Sequence, residues 1–218
     1  MTKTSPSPIV EMTNTSAVTR VGEYMESKAS VQASSRSRST ANKNNFDTSE
    51  AGAGEEQTIV FRHNKYMGEF KMKNGKPQGE GTITYARGGD VYIGLVKDGK
   101  PDGFGKMTTE FGDSYEGEWS YGQKNGFGKY TSVHGNVYEG GWSKGSEHGK
   151  GKMMWESGMV YEGDYYKGTQ HGHGNMTTNL YVYEGSFVHG KMQGVGEMRF
   201  KDRNGEVVKG SWMNGSLR

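Results

Sequence analysis

A chain of 218 residues with a formal net charge of +2 has room for one large domain or two small ones. Its hydrophobic content of 31% lies well below the roughly 45–50% of ordinary globular proteins, which excludes a thick aliphatic core. The absence of cysteine excludes disulfides and thiolate metal sites, and so small a charge gives no concentrated basic face for nucleic acid. The 36 glycines together with 13 Tyr, 8 Phe and 4 Trp point to closely approaching backbones covered by flat rings. No signal sequence opens the chain and no apolar run approaches the roughly 18 residues of a membrane span, so a cytoplasmic location is expected.

Residues 1–57 hold 17 Ser or Thr, two aromatics (Tyr24 and Phe46) and three glycines, with six basic against seven acidic residues. Such a segment buries too little apolar surface to offset its ordering entropy, and a disordered tail is expected. Its run from Ser34 to Thr40 is a candidate for phosphorylation, which would make a locally basic stretch acidic.

From Thr58 the chain repeats itself. Units open at Tyr66, Tyr92, Tyr115, Tyr138, Tyr161 and Tyr183, each followed two residues later by glycine, and a truncated seventh opens at Val208. Successive openings are 26, 23, 23, 23, 22 and 25 residues apart. Each full unit also carries a second signature, Gly79/Gly81, Gly103/Gly105, Gly126/Gly128, Gly149/Gly151, Gly172/Gly174 and Gly194/Gly196. In the third unit alternation puts Tyr115, Gly117 and Trp119 on one strand face and Glu116 and Glu118 on the other. The stretch Gly122–Gly126 reads as a polar turn before a returning strand at Gly128, and Pro77 and Pro101 at the same phase support a turn there. Glycine at a fixed strand phase suggests a flat seat for a neighbouring ring.

Six phased copies of Tyr-x-Gly followed by Gly-x-Gly resemble the MORN-repeat family over about residues 58–218. Unit two departs from the pattern with Leu95-Val96 where Glu-Trp is usual, and unit seven replaces the opening Tyr by Val208. The resemblance implies an all-β protein, an elongated single-layer antiparallel meander of tandem hairpins. Residues 58–65 are then a half-repeat cap at one end, formed by Thr58–Arg62 as a returning strand. Val208, Gly210 and Trp212 form an unpartnered edge at the other, open to self-association as a homodimer.

Chemistry is sparse. The Gly-x-Gly pairs lack the helix N-terminus and Lys-Ser/Thr ending of a phosphate loop. Glu116, Glu139, Glu162 and Glu184 recur at one phase, which favours cross-strand pairing over a unique acid and base. His171 and His173 would share a face of a regular strand, with His148 one unit earlier, but a zinc ion needs further ligands, and a polar turn role is preferred. No catalytic residue, metal or cofactor is expected. The expected function is a non-enzymatic scaffold that grips a protein partner in an aromatic, glycine-lined groove formed by Tyr115, Trp119, Tyr138, Trp142, Tyr161 and Tyr165. The resemblance adds a cytoskeletal or ciliary setting, and two alternatives: contact with acidic phospholipids such as phosphoinositides, through turn lysines, and service as a regulatory subunit of an enzyme.

Overall fold

Strand-forming segments separated by glycine turns leave the chain one economical arrangement, each strand pairing with its sequence neighbour. The computed structural model describes residues 57–61 and 63–218 and shows this arrangement, one antiparallel sheet of 15 strands in strict sequence order. The strands are β1 Gln57–Phe61, β2 Asn64–Lys73, β3 Lys76–Thr84, β4 Val91–Lys97, β5 Lys100–Thr108, β6 Ser114–Ser120, β7 Gln123–Thr131 and β8 Val137–Ser143. They continue as β9 Ser146–Met154, β10 Val160–Tyr166, β11 Thr169–Thr177, β12 Tyr181–Val188, β13 Lys191–Phe200, β14 Val207–Met213 and β15 Ser216–Leu217. No helix occurs among the described residues. Apart from Gln57, which opens β1, the expected tail and its phosphorylation stretch lie outside the described residues.

The hairpin turns are tighter than the sequence suggests. Each is two residues long, as at Tyr121-Gly122, flanked by the pair Ser120 and Gln123. Tyr121 has φ 51° and Gly122 φ 82°, the two positive values of a type I′ turn, whose twist matches that of the strands it joins. Gln123, Lys124 and Asn125, expected in the turn, are therefore already in β7. Pro77 and Pro101 likewise belong to β3 and β5. A strand residue directs its N and C=O to the same side. The Pro77 carbonyl accepts a bond from the Gly99 amide beyond the pairing of β3 with β4, which begins at Gly79, so no ladder donor is lost.

One row crosses the sheet without interruption. From β2 to β14 each strand contributes one glycine paired with the next, in the order Gly68, Gly81, Gly94, Gly105, Gly117, Gly128, Gly140, Gly151, Gly163, Gly174, Gly185, Gly196 and Gly210. This row is where the rings lie. A Cβ on Gly128 would stand 2.4 Å from the Tyr115 hydroxyl oxygen and 2.5 Å from its ring carbon Cζ, so Tyr115 lies flat on bare backbone. Its hydroxyl donates to the Glu118 carbonyl at 2.9 Å. The same bond, from tyrosine to the carbonyl three residues on, recurs at Tyr92, Tyr138, Tyr161 and Tyr183.

From the second unit onward the first glycine of the Gly-x-Gly has a different task. In β6 and β7 the register shifts between the pairs Gly117–Gly128 and Trp119–Lys124, a bulge that recurs in the β4–β5, β8–β9, β10–β11 and β12–β13 hairpins but not in β2–β3. Gly126, at φ 63°, makes the turn of that bulge, and the Glu118 carboxylate accepts the freed Phe127 amide at 2.9 Å. Asp164 accepts the His173 amide at 3.0 Å in the same role.

The ends are closed by short strands. β1 pairs with β2 from Gln57–Gly68 to Phe61–Asn64, as expected of the cap. The other end differs from expectation: β14 is followed by β15, which pairs Leu217 with Trp212 and Ser216 with Met213. Leu217 also lies against the open side of Gly210, where an added Cβ would come within 2.6 Å of its methyl group. Of the edge expected from Val208, Gly210 and Trp212, only Trp212 is thus paired by the chain's own C-terminal residues, while Leu217 lies over the face of Gly210.

Candidate binding surfaces

Cross-strand alternation sorts the side chains onto two sides of the sheet. The ring side carries one row beside the glycines, running Tyr66, Ile83, Tyr92, Met107, Tyr115, Tyr130, Tyr138, Met153, Tyr161, Met176, Tyr183, Met198 and Val208, each paired with the next. A second aromatic in units three to six, Trp119, Trp142, Tyr165 and Phe187, packs edge-on between tyrosines of its own and the preceding unit, while unit two has Val96 in that place. Trp142 has centroids 5.1 Å from Tyr115 and 5.2 Å from Tyr138, at 81° and 87° between planes. Its indole N–H donates to the Gly128 carbonyl at 3.1 Å, as that of Trp119 does to Gly105 at 3.0 Å.

This packing closes over the six residues expected as an open groove. Tyr115, Trp119, Tyr138, Trp142, Tyr161 and Tyr165 are between 0% and 7% exposed, and they are the core that the low hydrophobic content made hard to place. Burial pushes the hydroxyls of Tyr92, Tyr115, Tyr138, Tyr161 and Tyr165 far above the ordinary tyrosine value, because an ionised ring there would lose its hydration. What the ring side offers to a partner is the set between them: Met107, Tyr130, Met153 and Met176, half-buried against the core, with Trp155 and Tyr181 beside them. The signal was present in the sequence, since each of the four stands two residues after a Gly-x-Gly.

One cation lies among these rings. The Lys124 ammonium stands 4.5 Å from the ring centre of Tyr130, 4.7 Å from Trp142 and 5.1 Å from Tyr115. Burial holds its amine below the usual lysine range, opposed by the carboxylates of Glu147 and Asp113.

The opposite side of the sheet is a charge ladder. Lys106, Glu116, Lys129, Glu139, Lys152 and Glu162 are successive cross-strand partners, with ammonium-to-carboxylate distances of 3.6 Å for Lys106–Glu116 and 3.4 Å for Lys152–Glu162. Glu116, Glu139 and Glu162 thus pair across strands, as their shared phase suggested. Glu184 instead faces Asn175 and Glu197, with the His173 ring 3.7 Å away. The bulge at Gly172 breaks the alternation that would have put His171 and His173 on one face. The His171 ring faces Tyr166 at 5.6 Å and His189 at 5.8 Å. Among the described residues no group of three or more His, Asp or Glu is placed to hold a metal ion.

The long edges of the sheet differ in charge. The hairpin tips expose Lys73, Lys76, Lys97, Lys100, Lys144, Lys167 and Lys191. The loops at the opposite ends of the strands carry Asp90, Glu110, Asp113 and Glu156, with Arg87 beside Asp90 in the first and Lys201, Asp202, Arg203 and Glu206 in the last, while 132–136 and 178–180 hold no Asp, Glu, Lys or Arg. Asp90 accepts the Glu110 amide at 3.1 Å and Asp113 the Val133 amide at 2.8 Å, so each loop ties the next.

The family model for the MORN repeat matches residues 66–90, 92–110, 115–137, 138–160, 161–178 and 183–205, more than half of the chain and in phase with the six hairpins. The chain belongs to the MORN-repeat family. No curated protein matches it. MORN repeats are binding repeats in general and are typically non-catalytic, so the family directs attention to the surfaces above.

Proposed function

We propose that this MORN protein is a non-enzymatic scaffold that holds a protein partner against the ring side of its sheet, in a cytoskeletal or ciliary setting of the cytoplasm. The observation that carries the reading is the half-buried stripe of Met107, Tyr130, Met153 and Met176 over a rigid floor of interlocked rings. Unbranched thioethers adapt to varied apolar surfaces, while the rings beneath keep the stripe in place. The test compares the full chain, a variant with Met107→Ala, Met153→Ala and Met176→Ala, and an outer-side control with Glu116→Gln and Glu139→Gln. Proteins retained by the full chain are expected to bind the methionine variant at least about tenfold more weakly, the order expected for losing a few apolar anchors, and the control unchanged. Circular dichroism checks that both variants remain folded. Equal retention by the methionine variant would contradict the reading.

The lysine-bearing tips favour a second reading, contact with acidic phospholipid. Vesicles containing phosphatidylserine or a phosphoinositide should then sediment with the full chain at low salt and release it as ionic strength rises, because exposed charges are screened beyond roughly 8–10 Å.

A further inference from the structure

The outer side of the sheet changes character between its first two hairpins and the rest. At the outward strand position where units three to six place Glu116, Glu139, Glu162 and Glu184, units one and two place Met67 and Ile93, joined across the sheet by Thr82. Leu95 and Phe104 continue this apolar patch toward the hairpin tips. Leu95 leans over Gly103, where an added Cβ would stand 2.8 Å from its methyl carbon. Met67, Ile93, Leu95 and Phe104 are each 37–42% exposed.

Beyond the patch, on the same side, stand lysines. Strand alternation turns Lys71, Lys73, Lys76, Lys97 and Lys100 outward, and all five are exposed. Lys73 pairs directly with Lys76, and Lys97 with Lys100. The same place beside the later turns holds Ser120–Gln123, Ser143–Ser146, Tyr166–Thr169, Val188–Lys191 and Met213–Ser216, so only the first two hairpins set lysine against lysine. Like charges directly opposed destabilise a strand pair. None of the five lysines has an ion-pair partner among the described residues. The carboxylates nearest in sequence are engaged elsewhere: Asp98 accepts from the Gln78 side chain at 2.9 Å and Asp102 from the Tyr121 amide at 3.0 Å. Glu69 and Glu80 stand in register with Leu95, so the positive excess is confined to the tip end of the face.

An apolar patch beside unneutralised cations complements a segment that carries both apolar and acidic residues. We propose that the outer side of β2–β5 holds an acidic segment of a second protein. Its apolar residues cover Met67, Ile93, Leu95 and Phe104, and its carboxylates meet the lysines at the tips. This surface is separate from the methionine stripe, which lies on the ring side. The patch lies low on the sheet and to one side of the lysines. That layout suits a chain laid along the strands better than a bilayer, which takes up apolar groups standing out beyond the cations.

The test selects displayed random peptides on the full chain and measures their affinity for variants. In one variant Ile93→Glu and Leu95→Ser give unit two the residues that unit six carries as Glu184 and Ser186. In another Lys73→Ser and Lys97→Ser give the first two hairpins the residue that stands at Ser120 and Ser143. Both write in residues that the repeat already holds at those positions, so the fold is expected to persist, with circular dichroism as the check. A class of selected peptides is expected to combine Asp or Glu with large apolar residues and to bind each variant at least about tenfold more weakly, the order expected for losing a few anchors. The same peptides should bind the ring-side methionine variant unchanged, which keeps this proposal distinct from the ring-side reading. The proposal is overturned if no selected peptide loses affinity for both outer-side variants, or if those that do lack acidic residues. It is also overturned if phosphatidylserine vesicles, rather than peptides, are what both variants fail to bind. Sedimentation velocity showing dimers of the unaltered chain that Ile93→Glu with Leu95→Ser dissociates would overturn it as well, a second copy then being what covers the patch.

Discussion

Raising the pH above 10 is expected to unfold the sheet in one cooperative step before pH 12. Tyr92, Tyr115, Tyr138, Tyr161 and Tyr165 hold their protons far above the ordinary tyrosine value because they are 0–6% exposed, and the hydroxyls of Tyr92, Tyr115, Tyr138 and Tyr161 also donate to backbone carbonyls. In the unfolded chain the same groups ionise near pH 10. Above that value the folded state binds more protons than the unfolded one, so stability falls as pH rises, by about 1.4 kcal/mol per pH unit for each ring. Five rings together remove about 7 kcal/mol per unit, comparable with the whole stability of a typical domain. Below pH 10 the contribution is fully present. Lys124 has the opposite sign, but its depressed value lets stability recover only up to the ordinary lysine range, where the tyrosine effect begins. Tyrosinate absorbance and circular dichroism recorded together check the expectation. The two should change at the same pH, and ionisation of these five tyrosines near pH 10 in a folded chain would refute it.

The two glycines of a single Gly-x-Gly should respond very differently to alanine. Gly151 has no unusual φ, but a Cβ there would stand 2.3 Å from the Tyr138 hydroxyl oxygen and 2.6 Å from Cζ, so the ring must leave its seat. That movement breaks the bond from Tyr138 to the Gly141 carbonyl and the edge contacts of Tyr138 with Trp142 and Tyr165. Gly151→Ala is expected to cost about 3 kcal/mol, in the upper range for overpacking a core. At Gly149 nothing lies within 4 Å of an added Cβ, and the only obstacle is its φ of 74°. Gly149→Ala should cost about 1–2 kcal/mol, the ordinary penalty for left-handed backbone. Urea unfolding of the two variants measures both, and the order Gly151 above Gly149 is the decisive part. Because stability in a stacked repeat is nearly a sum of unit and neighbour terms, the Gly151 variant should also broaden the transition as the central units come apart.

The fold was legible because its signals repeat. A tyrosine, two glycine phases and a spacing near 23 residues, read six times, left little freedom for anything but consecutive hairpins. The turn position was misread because Gly122 and Gly126 both look like turn boundaries, and spacing alone does not say which glycine closes the hairpin and which makes the bulge. The tip is set by the pair Tyr121-Gly122, and a tyrosine at positive φ is not what turn statistics suggest. The last strand was missed because Ser216–Leu217 is only two residues long, too short to show any alternation.

The candidate site was harder. Large rings at a fixed phase are good anchors and also good core, and in a chain this poor in aliphatic residues the core has first claim on them. Tyr138 at 0% exposed and Trp142 at 5% show that claim upheld, while the accessible positions went to methionines whose one signature is their place two residues after a Gly-x-Gly. The turn lysines were expected along one rim from their phase in the repeats, and Lys97 and Lys144 do stand at hairpin tips on one edge of the sheet.

The rings are sealed core, and Met107, Tyr130, Met153 and Met176 are the reachable part of the ring side. Hydroxyl-radical footprinting of the full chain, read residue by residue by mass spectrometry, tests it most directly. Met107, Met153, Met176 and Tyr121 are expected to be modified, with Tyr115, Tyr138, Trp142 and Tyr161 protected to the level of the folded core. Labelling of those four rings at rates near that of Tyr121 while the sheet remains folded would contradict it and return the open aromatic groove.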